Sequence, residues 1–271
     1  RVLYLGANTL GDAGTKSLVQ SSHISSLRTL NLSSNGIGEA GVEALATSPH
    51  LASLRELELT YNELEASGAA VLANARHLSS LRTLDLGGTH IGDAGASALA
   101  RSCALPSLHV LDLHRNDITD AGVRALTESS TMSSLRELKL GHNGVREAGA
   151  QALATSRHLS SLRVLDLSGN SIGKVGAEAL ARSPNMSSLL RLLLEQNGLG
   201  DAGASALAFS SHLGSLTWLN LRGNIIWEQG TLELMLADYL PSLDLLDVRD
   251  NPGADVLAEF LPEVGFYQTL Q

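Results

Sequence analysis

The chain has 271 residues, of which 44% are hydrophobic and 17% charged, and its formal net charge at pH 7 is −9. This composition supplies a sizeable core and excludes a disordered chain. The acidic balance repels phosphate groups, so we expect neither nucleic acid nor an anionic membrane surface as a partner. Because Cys103 is the one cysteine of the sequence and no apolar run is long enough to span a bilayer, we expect a cytoplasmic protein by default.

An asparagine recurs every 27 residues along the whole chain. Thr89 replaces it at one position of this grid, and the others hold Asn8, Asn35, Asn62, Asn116, Asn143, Asn170, Asn197, Asn224 and Asn251. Glycine and leucine recur with the same period, starting from Gly14 and Leu18. A fixed period of this length predicts a solenoid in which each unit contacts its neighbours. We interpret residues 1–271 as a single domain of about ten 27-residue units, with 252–271 as a degenerate C-terminal cap.

Each unit begins with a segment typical of a short strand. Leucines alternate with polar residues around Leu30 and Leu32, and this period of two indicates one buried face. The asparagine that follows can bond the backbone of its own turn and of the neighbouring unit. Stacked units would then share an asparagine ladder. Because Thr89 lacks the amide donor, we expect a local weak point there.

The second half of each unit is rich in alanine and leucine, which favour a helix. Four aspartates occupy a position at which an N-cap would accept backbone N–H groups of its own helix; they are Asp12, Asp93, Asp120 and Asp201. The glycine that follows costs about 1 kcal/mol of helix propensity. We attribute its recurrence to a close approach of helix and sheet. Serine-rich stretches such as residues 79–80 return the chain to the next strand.

Stacking of such units predicts an α/β solenoid. Neighbouring strands lie about 4.8 Å apart, whereas neighbouring helices need about 10 Å. This mismatch must curve the array. We therefore predict a horseshoe with a parallel sheet on its concave face and helices on its convex face.

The repeated pattern Leu-x-x-Leu-x-Leu-x-x-Asn-x-Ile-Gly-Asp-Ala-Gly-Ala-x-Ala-Leu-Ala resembles the ribonuclease-inhibitor-like class of leucine-rich repeats. The Gly-Asp-Ala-Gly turn and the His-Leu-Ser-Ser-Leu return resemble bacterial members of that class. The resemblance covers all ten units and implies the horseshoe fold. It implies little about function, because the class includes enzyme inhibitors, GTPase-activating proteins, immune sensors and bacterial effectors.

The sequence contains no arrangement typical of an enzyme active site. Two glycine fingerprints, at residues 36–41 and 198–203, follow from the repeat register and do not indicate a nucleotide site. His114 and His142 fall on adjacent units near Asp112, so a His/Asp metal site is conceivable, but we interpret these residues as part of a solvated face. We therefore predict no enzyme activity, no catalytic residue, no cofactor and no metal.

The middle position of each predicted strand points to the concave face. The row formed by these positions is Tyr4, Asn31, Glu58, Asp85, Asp112, Lys139, Asp166, Leu193, Asn220 and Asp247. Like charges at strand spacing repel one another, and basic groups of a partner could relieve that repulsion. The alternative is that aspartate is the common residue here, partly neutralised by arginines such as Arg82 and Arg163. Glu58, Asp85 and Asp112 are the candidate binding residues of this central acidic patch.

A second candidate patch lies near the C-terminus, where most of the aromatic residues occur. Most of them are expected to cover the end of the core. Trp218 differs, because its strand position points it to the concave side, and an exposed tryptophan with arginine and apolar neighbours is typical of a binding hot spot. Alternatively, a C-terminal segment folds over it. The residues of this C-terminal patch are Arg191, Leu193, Glu195, Trp218, Asn220, Arg222, Leu245 and Arg249.

The sequence favours a non-catalytic scaffold that binds another protein through its concave face. Two alternatives stay open. One is a regulator of an enzyme, such as a GTPase-activating protein, which rests on family analogy alone. The other is a repeat array with no ligand. Because a strand pattern starts at the first residues with no cap before it, we also expect residues upstream or a partner at this edge.

Overall fold

The computed structural model describes residues 1–255. Within these residues, ten parallel strands form one open sheet in the order of the sequence. Residues that pair across neighbouring strands are 27 positions apart, as Leu30 and Leu57 are. The strands are β1 (Val2–Tyr4), β2 (Thr29–Asn31), β3 (Glu56–Glu58), β4 (Thr83–Asp85), β5 (Val110–Asp112), β6 (Glu137–Lys139), β7 (Val164–Asp166), β8 (Arg191–Leu193), β9 (Trp218–Asn220) and β10 (Leu245–Asp247).

One helix follows each strand from β1 to β9, and each helix packs against the next one along the chain. The helices are α1 (Gly11–Val19), α2 (Glu39–Thr47), α3 (Glu65–Ala73), α4 (Gly92–Ala100), α5 (Asp120–Glu128), α6 (Glu147–Thr155), α7 (Gly173–Ala181), α8 (Gly200–Ala208) and α9 (Glu228–Met235). The predicted alternation of parallel strands and helices is confirmed. Most of the predicted C-terminal cap, residues 256–271, lies outside the described residues.

Short 3-10 helices occupy many of the return segments between one helix and the next strand. They span Ser22–Ile24, Pro49–Leu51, Arg76–Leu78, Ser130–Ser134, Arg157–Leu159 and Pro184–Met186. A serine before several of them accepts a backbone N–H, as Ser48 does from His50. Among the described helices, none has both the length and the apolar character needed to cross a bilayer.

The core lies between the sheet and the helices. In one unit, Leu30 of the strand, Leu32 just after it, Ile37 of the turn and Leu45 of the helix are all completely buried. Burial of each such side chain contributes about 1.5–3 kcal/mol. The equivalent positions of neighbouring units belong to the same cluster. No unit could bury these side chains without its neighbours, so stability is cooperative along the stack.

The recurring asparagines form the predicted ladder between units. Asn62 Nδ2 donates to the carbonyl oxygen of Leu59 at 2.8 Å and to that of Leu32, in the preceding unit, at 2.9 Å. Asn62 Oδ1 accepts the backbone N–H groups of Asn35 and Ile37, each at 3.0 Å. One side chain thereby satisfies four backbone groups that have left the strand, and buried backbone groups without partners are costly.

Thr89 interrupts this ladder, as predicted. Its Oγ1 donates to the carbonyl oxygen of Leu86 in its own unit at 2.5 Å. Across residues 1–255, its side chain makes no bond to the preceding unit. Asn116, one unit further on, reaches back to Leu86 at 2.7 Å. The contact between the units that hold Asn62 and Thr89 therefore lacks the bonds that an asparagine supplies.

Thr89→Asn should raise the free energy of unfolding by about 1 kcal/mol, because the amide restores bonds to the preceding unit. Thr89→Val should lower it by about 1–3 kcal/mol, since it removes the hydroxyl from a buried polar turn. Urea denaturation followed by circular dichroism measures both. An asparagine variant no more stable than the wild type would show that the ladder does not limit stability here.

The repeat aspartates cap the helix of the following unit, so the prediction that they cap their own helix is wrong. Asp12 lies in the first turn of α1, and its Oδ1 accepts the N–H groups of Gly38 and Gly41 at 2.8 and 2.9 Å, at the start of α2. The other three aspartates accept N–H groups at the starts of α5, α6 and α9 in the same way. The carboxylate points along the stack, where the next helix presents free N–H groups.

The recurring glycine makes room for these contacts. A Cβ on Gly41 would lie 2.6 Å from Asp12 Oδ1 and 2.6 Å from a methyl carbon of Ile37. A Cβ on Gly95 would lie 2.5 Å from Ile91 Cβ and 3.0 Å from the Cβ of a helix alanine in the preceding unit. Glycine is required by packing against its own turn and the preceding helix, which corrects the predicted close approach to the sheet.

The aspartate of one unit decides how the next helix begins. After Asp93 and Asp120, the residue before the helix is extended, with φ of −104° at Thr119 and −118° at Arg146. In units that follow no such aspartate, the equivalent residue has a left-handed φ, as Gly92 and Gly173 do. Glu65 is in this second group and adopts φ of +55° without being glycine. That conformation costs a residue with a Cβ about 1–2 kcal/mol.

Glu65→Gly should therefore raise the free energy of unfolding by about 1 kcal/mol, which urea denaturation measures.

Asp93→Ala should lower the free energy of unfolding by about 1–2 kcal/mol, because the N–H groups of Thr119 and Gly122 lose their acceptor. Glu147→Ala is the matched control, since Glu147 occupies the same repeat position and makes no such bond in the described structure. Equal losses for Asp93→Ala and Glu147→Ala in urea denaturation would contradict the capping role.

Candidate functional site

The C-terminal patch is built on β8, β9 and β10. The strand register places Trp218 between Arg191 and Leu245. The next residue of β9, Leu219, is completely buried, and successive side chains of a strand point to opposite faces. Trp218 and its two neighbours therefore lie on the open face of the sheet, where the sequence placed them.

Trp218 is half-buried, although the sequence predicted an exposed ring. The guanidinium carbon of Arg191 lies 4.0 Å from the ring centroid, a cation–π distance. Trp218 Nε1 is buried and has no hydrogen-bond partner among the described residues. Indole nitrogen is a donor only, and an unmet buried donor costs about 1–3 kcal/mol. Arg191 itself forms no ion pair within residues 1–255, so the tryptophan and the residue covering it both keep unused hydrogen-bonding capacity.

The other two arginines of the patch are held by carboxylates. Arg222 Nε donates to Asp250 Oδ2 at 2.5 Å, and the guanidinium lies 4.0 Å from Glu195. Arg249 Nε donates to Asp247 Oδ1 at 2.9 Å. Burial by itself raises the pKa of Asp247, but the side-chain and backbone bonds from Arg249 outweigh burial and lower it. Sequence reasoning missed these pairs, because Asp250 lies in the turn that follows the last strand.

The central acidic patch is more buried and better compensated than the sequence predicted. Asp112 is 6% exposed. It bonds His114 Nδ1 at 2.7 Å and lies 3.2 Å from Lys139 Nζ. The arginines expected to neutralise the row, Arg82 and Arg163, form no ion pair within the described part of the chain. The residues that neutralise Asp112 are His114, two positions further along the chain, and Lys139, which pairs with Asp112 across β5 and β6.

Burial and charge shift the pKa values along this row unequally. Burial raises the pKa of Asp112, but the bonds from His114 and the charge of Lys139 outweigh it, and the net shift is downward. Burial and then the charge of Asp112 raise the pKa of Asp85. Burial and then the charge of Asp85 raise the pKa of Glu58. Asp112 thus stays ionised most readily, whereas Asp85 and Glu58 hold a proton more readily than usual.

Asp85, Asp112 and His114 bring possible metal-ligand atoms within 4.8 Å of one another. His142, which the sequence placed beside His114, is not in this group, and Asp85 of the adjacent strand takes its place. Asp112 already bonds His114 and lies 3.2 Å from the ammonium group of Lys139. A divalent cation would have to displace that ammonium group, so this donor set does not fit a metal.

Gly87 and Tyr61 hold the ring of His114. A Cβ on Gly87 would lie 1.9 Å from His114 Cε1, so the imidazole lies directly over this glycine. The Tyr61 ring meets the imidazole edge-on, with centroids 6.0 Å apart. Gly87 and His114 occupy the same repeat position in consecutive units, which is the sequence signal that could have found this contact.

The hydrogen bond that His114 Nδ1 donates to Asp112 is the largest cause that raises the pKa of His114 above its ordinary value. The protonated imidazole therefore stabilises the fold fully below the unfolded pKa of about 6.5, and this contribution is lost as the pH rises through the folded pKa. We expect the free energy of unfolding to fall between about pH 5.5 and pH 8, and to fall less in His114→Gln. Urea denaturation at both pH values measures this.

Gly87→Ala should reduce the pH dependence as His114→Gln does, because the added methyl group displaces the ring while keeping the histidine. His23→Gln, which changes an exposed histidine of a return segment, should leave the dependence unchanged. If His114→Gln and Gly87→Ala keep the pH dependence of the wild type, as the control does, the contact between His114 and Asp112 does not contribute to that dependence.

A family model described as Leucine Rich repeat matches seven segments that together span more than half of the chain. They are residues 23–46, 50–73, 77–100, 104–126, 131–154, 158–181 and 185–208. The chain belongs to the leucine-rich repeat family, which confirms the predicted family. Among curated proteins, none is similar enough in sequence to be matched. The ribonuclease-inhibitor-like class stays a prediction.

Solved structures support the same fold. The chain resembles the crystal structure of a TLR13-ssRNA13 complex with 20% sequence identity and a TM-score of 0.54. The alignment covers 85% of this chain and 33% of that one, so the chain spans about a third of the length of that protein. This likeness shows the leucine-rich-repeat solenoid fold and nothing about a partner.

Proposed function

We propose that the chain is a non-catalytic scaffold that binds another protein through its sheet face, with Trp218 as the anchor. The leucine-rich repeats form the scaffold. The environment of the Trp218 side chain is the observation that supports it as the anchor. Its ring lies on the open face under Arg191, and its Nε1 has no hydrogen-bond partner in the part of the chain that the structure describes. Tryptophan and arginine are the side chains most enriched at the energetic centres of interfaces.

A partner can satisfy both groups in one step. Because Arg191 has no carboxylate within residues 1–255, an acidic group on a partner can draw its guanidinium away from the ring. The Nε1 of Trp218 can then donate to an acceptor of the partner. Leu193 and Leu245 lie on the flanking strands and add apolar contact. Arg222 and Arg249, which are already paired, form a polar rim, and exposed ion pairs of this kind contribute little to binding.

The central acidic patch is proposed as a secondary contact for basic groups. Glu58 and Asp85 are paired residues on the neighbouring strands β3 and β4. No cation pairs with either of them in the described structure. Asp112 is already compensated by Lys139. Glu58 and Asp85 are therefore the stronger candidates. The pKa values of both carboxylates are raised, and a basic partner would lower them on binding, because a nearby positive charge favours the ionised form.

A protein partner fits this surface better than nucleic acid. The complex of TLR13 contains single-stranded RNA, which is a property of that protein. In this chain the net charge is −9, and the central strands carry Glu58, Asp85 and Asp112 on the open face. Phosphate groups gain affinity from basic residues that they neutralise, and this face offers mostly acidic ones.

The test is affinity capture from lysate of the source organism, with the wild-type chain compared to Trp218→Ala combined with Arg222→Glu. We expect one or more proteins to be held by the wild type and lost by this variant. The matched control is Phe209→Ala combined with Arg182→Glu, which makes the same kinds of change at the C-terminal end of α7 and α8. The control should keep the same proteins.

Circular dichroism should show that both double variants remain folded. Ribonuclease treatment before capture separates direct protein contacts from contacts bridged by RNA. If the sheet-face variant retains everything that the wild type binds, Trp218 is not the anchor. If captured proteins disappear after ribonuclease treatment, the partner is a nucleic acid and the proposal is wrong.

A further inference from the structure

Besides Arg1, which lies directly before β1, arginine occupies the residue directly before the strand in five further units. These residues, here called the arginine ladder, are Arg28, Arg55, Arg82, Arg136 and Arg163, and His109 stands between the third and the fourth. The N–H of Arg55 donates to the carbonyl oxygen of Arg28 at 2.8 Å, and the N–H of Arg82 donates to that of Arg55 at 2.7 Å. Strands joined in this way lie about 4.8 Å apart, so the backbone holds the arginines side by side.

The arginine ladder is exposed and uncompensated. All five side chains are exposed, and within residues 1–255 none of them forms an ion pair or a side-chain hydrogen bond. The ion pairs of the described structure involve other arginines and lysines, such as Arg222 and Lys139. In an acidic chain, the arginine ladder is thus a row of positive charge whose members repel one another.

Return segments form a groove beside the arginine ladder. The groove has a volume of about 340 Å³ and is lined by Arg28, Ala52, Ser53, Arg55, Ser80, Arg82 and Ser107. No acidic side chain lines it. Guanidinium groups bind carboxylate and phosphate oxygens through paired hydrogen bonds, and serine hydroxyls add further donors. The groove therefore has the chemistry of a site for an extended chain that carries oxyanions.

We propose that the arginine ladder binds an extended acidic segment of a partner protein. In an extended segment, alternate residues lie on one side about 7 Å apart. Aspartate or glutamate at alternate positions can therefore reach the flexible arginine side chains. Such a segment can place its charge against the arginine ladder alone and turn neutral residues to the rest of the surface.

A nucleic acid fits this surface less well. Glu56 directly follows Arg55 and is exposed. Glu58 and Asp85 lie three residues beyond Arg55 and Arg82 on the same strands, about 10 Å along them, close to the screening length of about 8 Å at physiological salt. The evenly charged phosphate backbone of a nucleic acid would come close to these carboxylates as well as to the arginines.

This inference adds the chemistry of a partner segment to the proposed scaffold function. It does not depend on the Trp218 anchor, because the arginine ladder lies in the units of β2 to β7 and the C-terminal patch lies on β8 to β10. Failure of one can therefore be distinguished from failure of the other. Trp218→Ala should leave binding at the arginine ladder unchanged.

The test is fluorescence anisotropy with a labelled peptide of alternating glutamate and serine, about ten residues long, so that it spans the arginine ladder. Arg55→Gln combined with Arg82→Gln should raise Kd about tenfold or more. Arg124→Gln combined with Arg157→Gln is the matched control, since both arginines are exposed and lie outside the arginine ladder. The control should change Kd less than about twofold.

Binding should weaken as salt is raised, and the same peptide with glutamine in place of glutamate should not bind. Three results would overturn the proposal. The wild type could fail to bind the glutamate peptide, both double variants could weaken binding equally, or an oligouridine of similar length could bind more tightly than the peptide. The last result would identify the arginine ladder as a site for nucleic acid.

Discussion

The bonds that each buried asparagine makes to the neighbouring unit are the constraint on which the rest of the molecule depends. Asn62 joins the carbonyl oxygens of two units and accepts two N–H groups of the preceding turn. A shift of one residue between units would break the three bonds to the preceding unit and move the buried leucines out of the core. The 27-residue register is therefore held at every step, and every feature of one unit meets its equivalent in the next.

This register aligns the side chains of equivalent positions in rows. Where a row contains like charges, each charge is neutralised by a neighbour, protonated, or available to the opposite charge of a partner. Asp112 is compensated by His114 and Lys139. Within residues 1–255 no cation pairs with Asp85 or Glu58, and burial and the neighbouring carboxylates raise their pKa values. The arginine ladder stays charged in solvent. The same logic acts on the backbone, where Asp93 allows Thr119 an extended φ, while Glu65, without such an aspartate before it, adopts a left-handed one.

The C-terminal patch departs from the repeat, and this departure distinguishes it from the other strands. Trp218 stands where most units have a polar or smaller residue, so Arg191 of the adjacent strand covers the ring. Trp218 Nε1 is buried and has no acceptor within residues 1–255. A partner can offer hydrogen-bond acceptors to the Trp218 Nε1 and to the Arg191 guanidinium, which these two groups do not offer each other. The proposed anchor and the arginine ladder occupy different units, so one scaffold can hold two parts of a partner.

The sequence by itself determined the units, their period, the alternation of strand and helix, the asparagine ladder and its interruption at Thr89, because these depend on contacts that recur with the repeat. It also placed Trp218 beside Arg191 and Leu245, since the register follows from the period. Only the tertiary structure decided where side chains turn once they leave the strand. Asp12 reaches the next helix and not its own, Asp112 pairs with His114 and Lys139 and not with Arg82, and Arg222 pairs with Asp250. These choices depend on distances and burial between units, which a one-dimensional pattern does not contain.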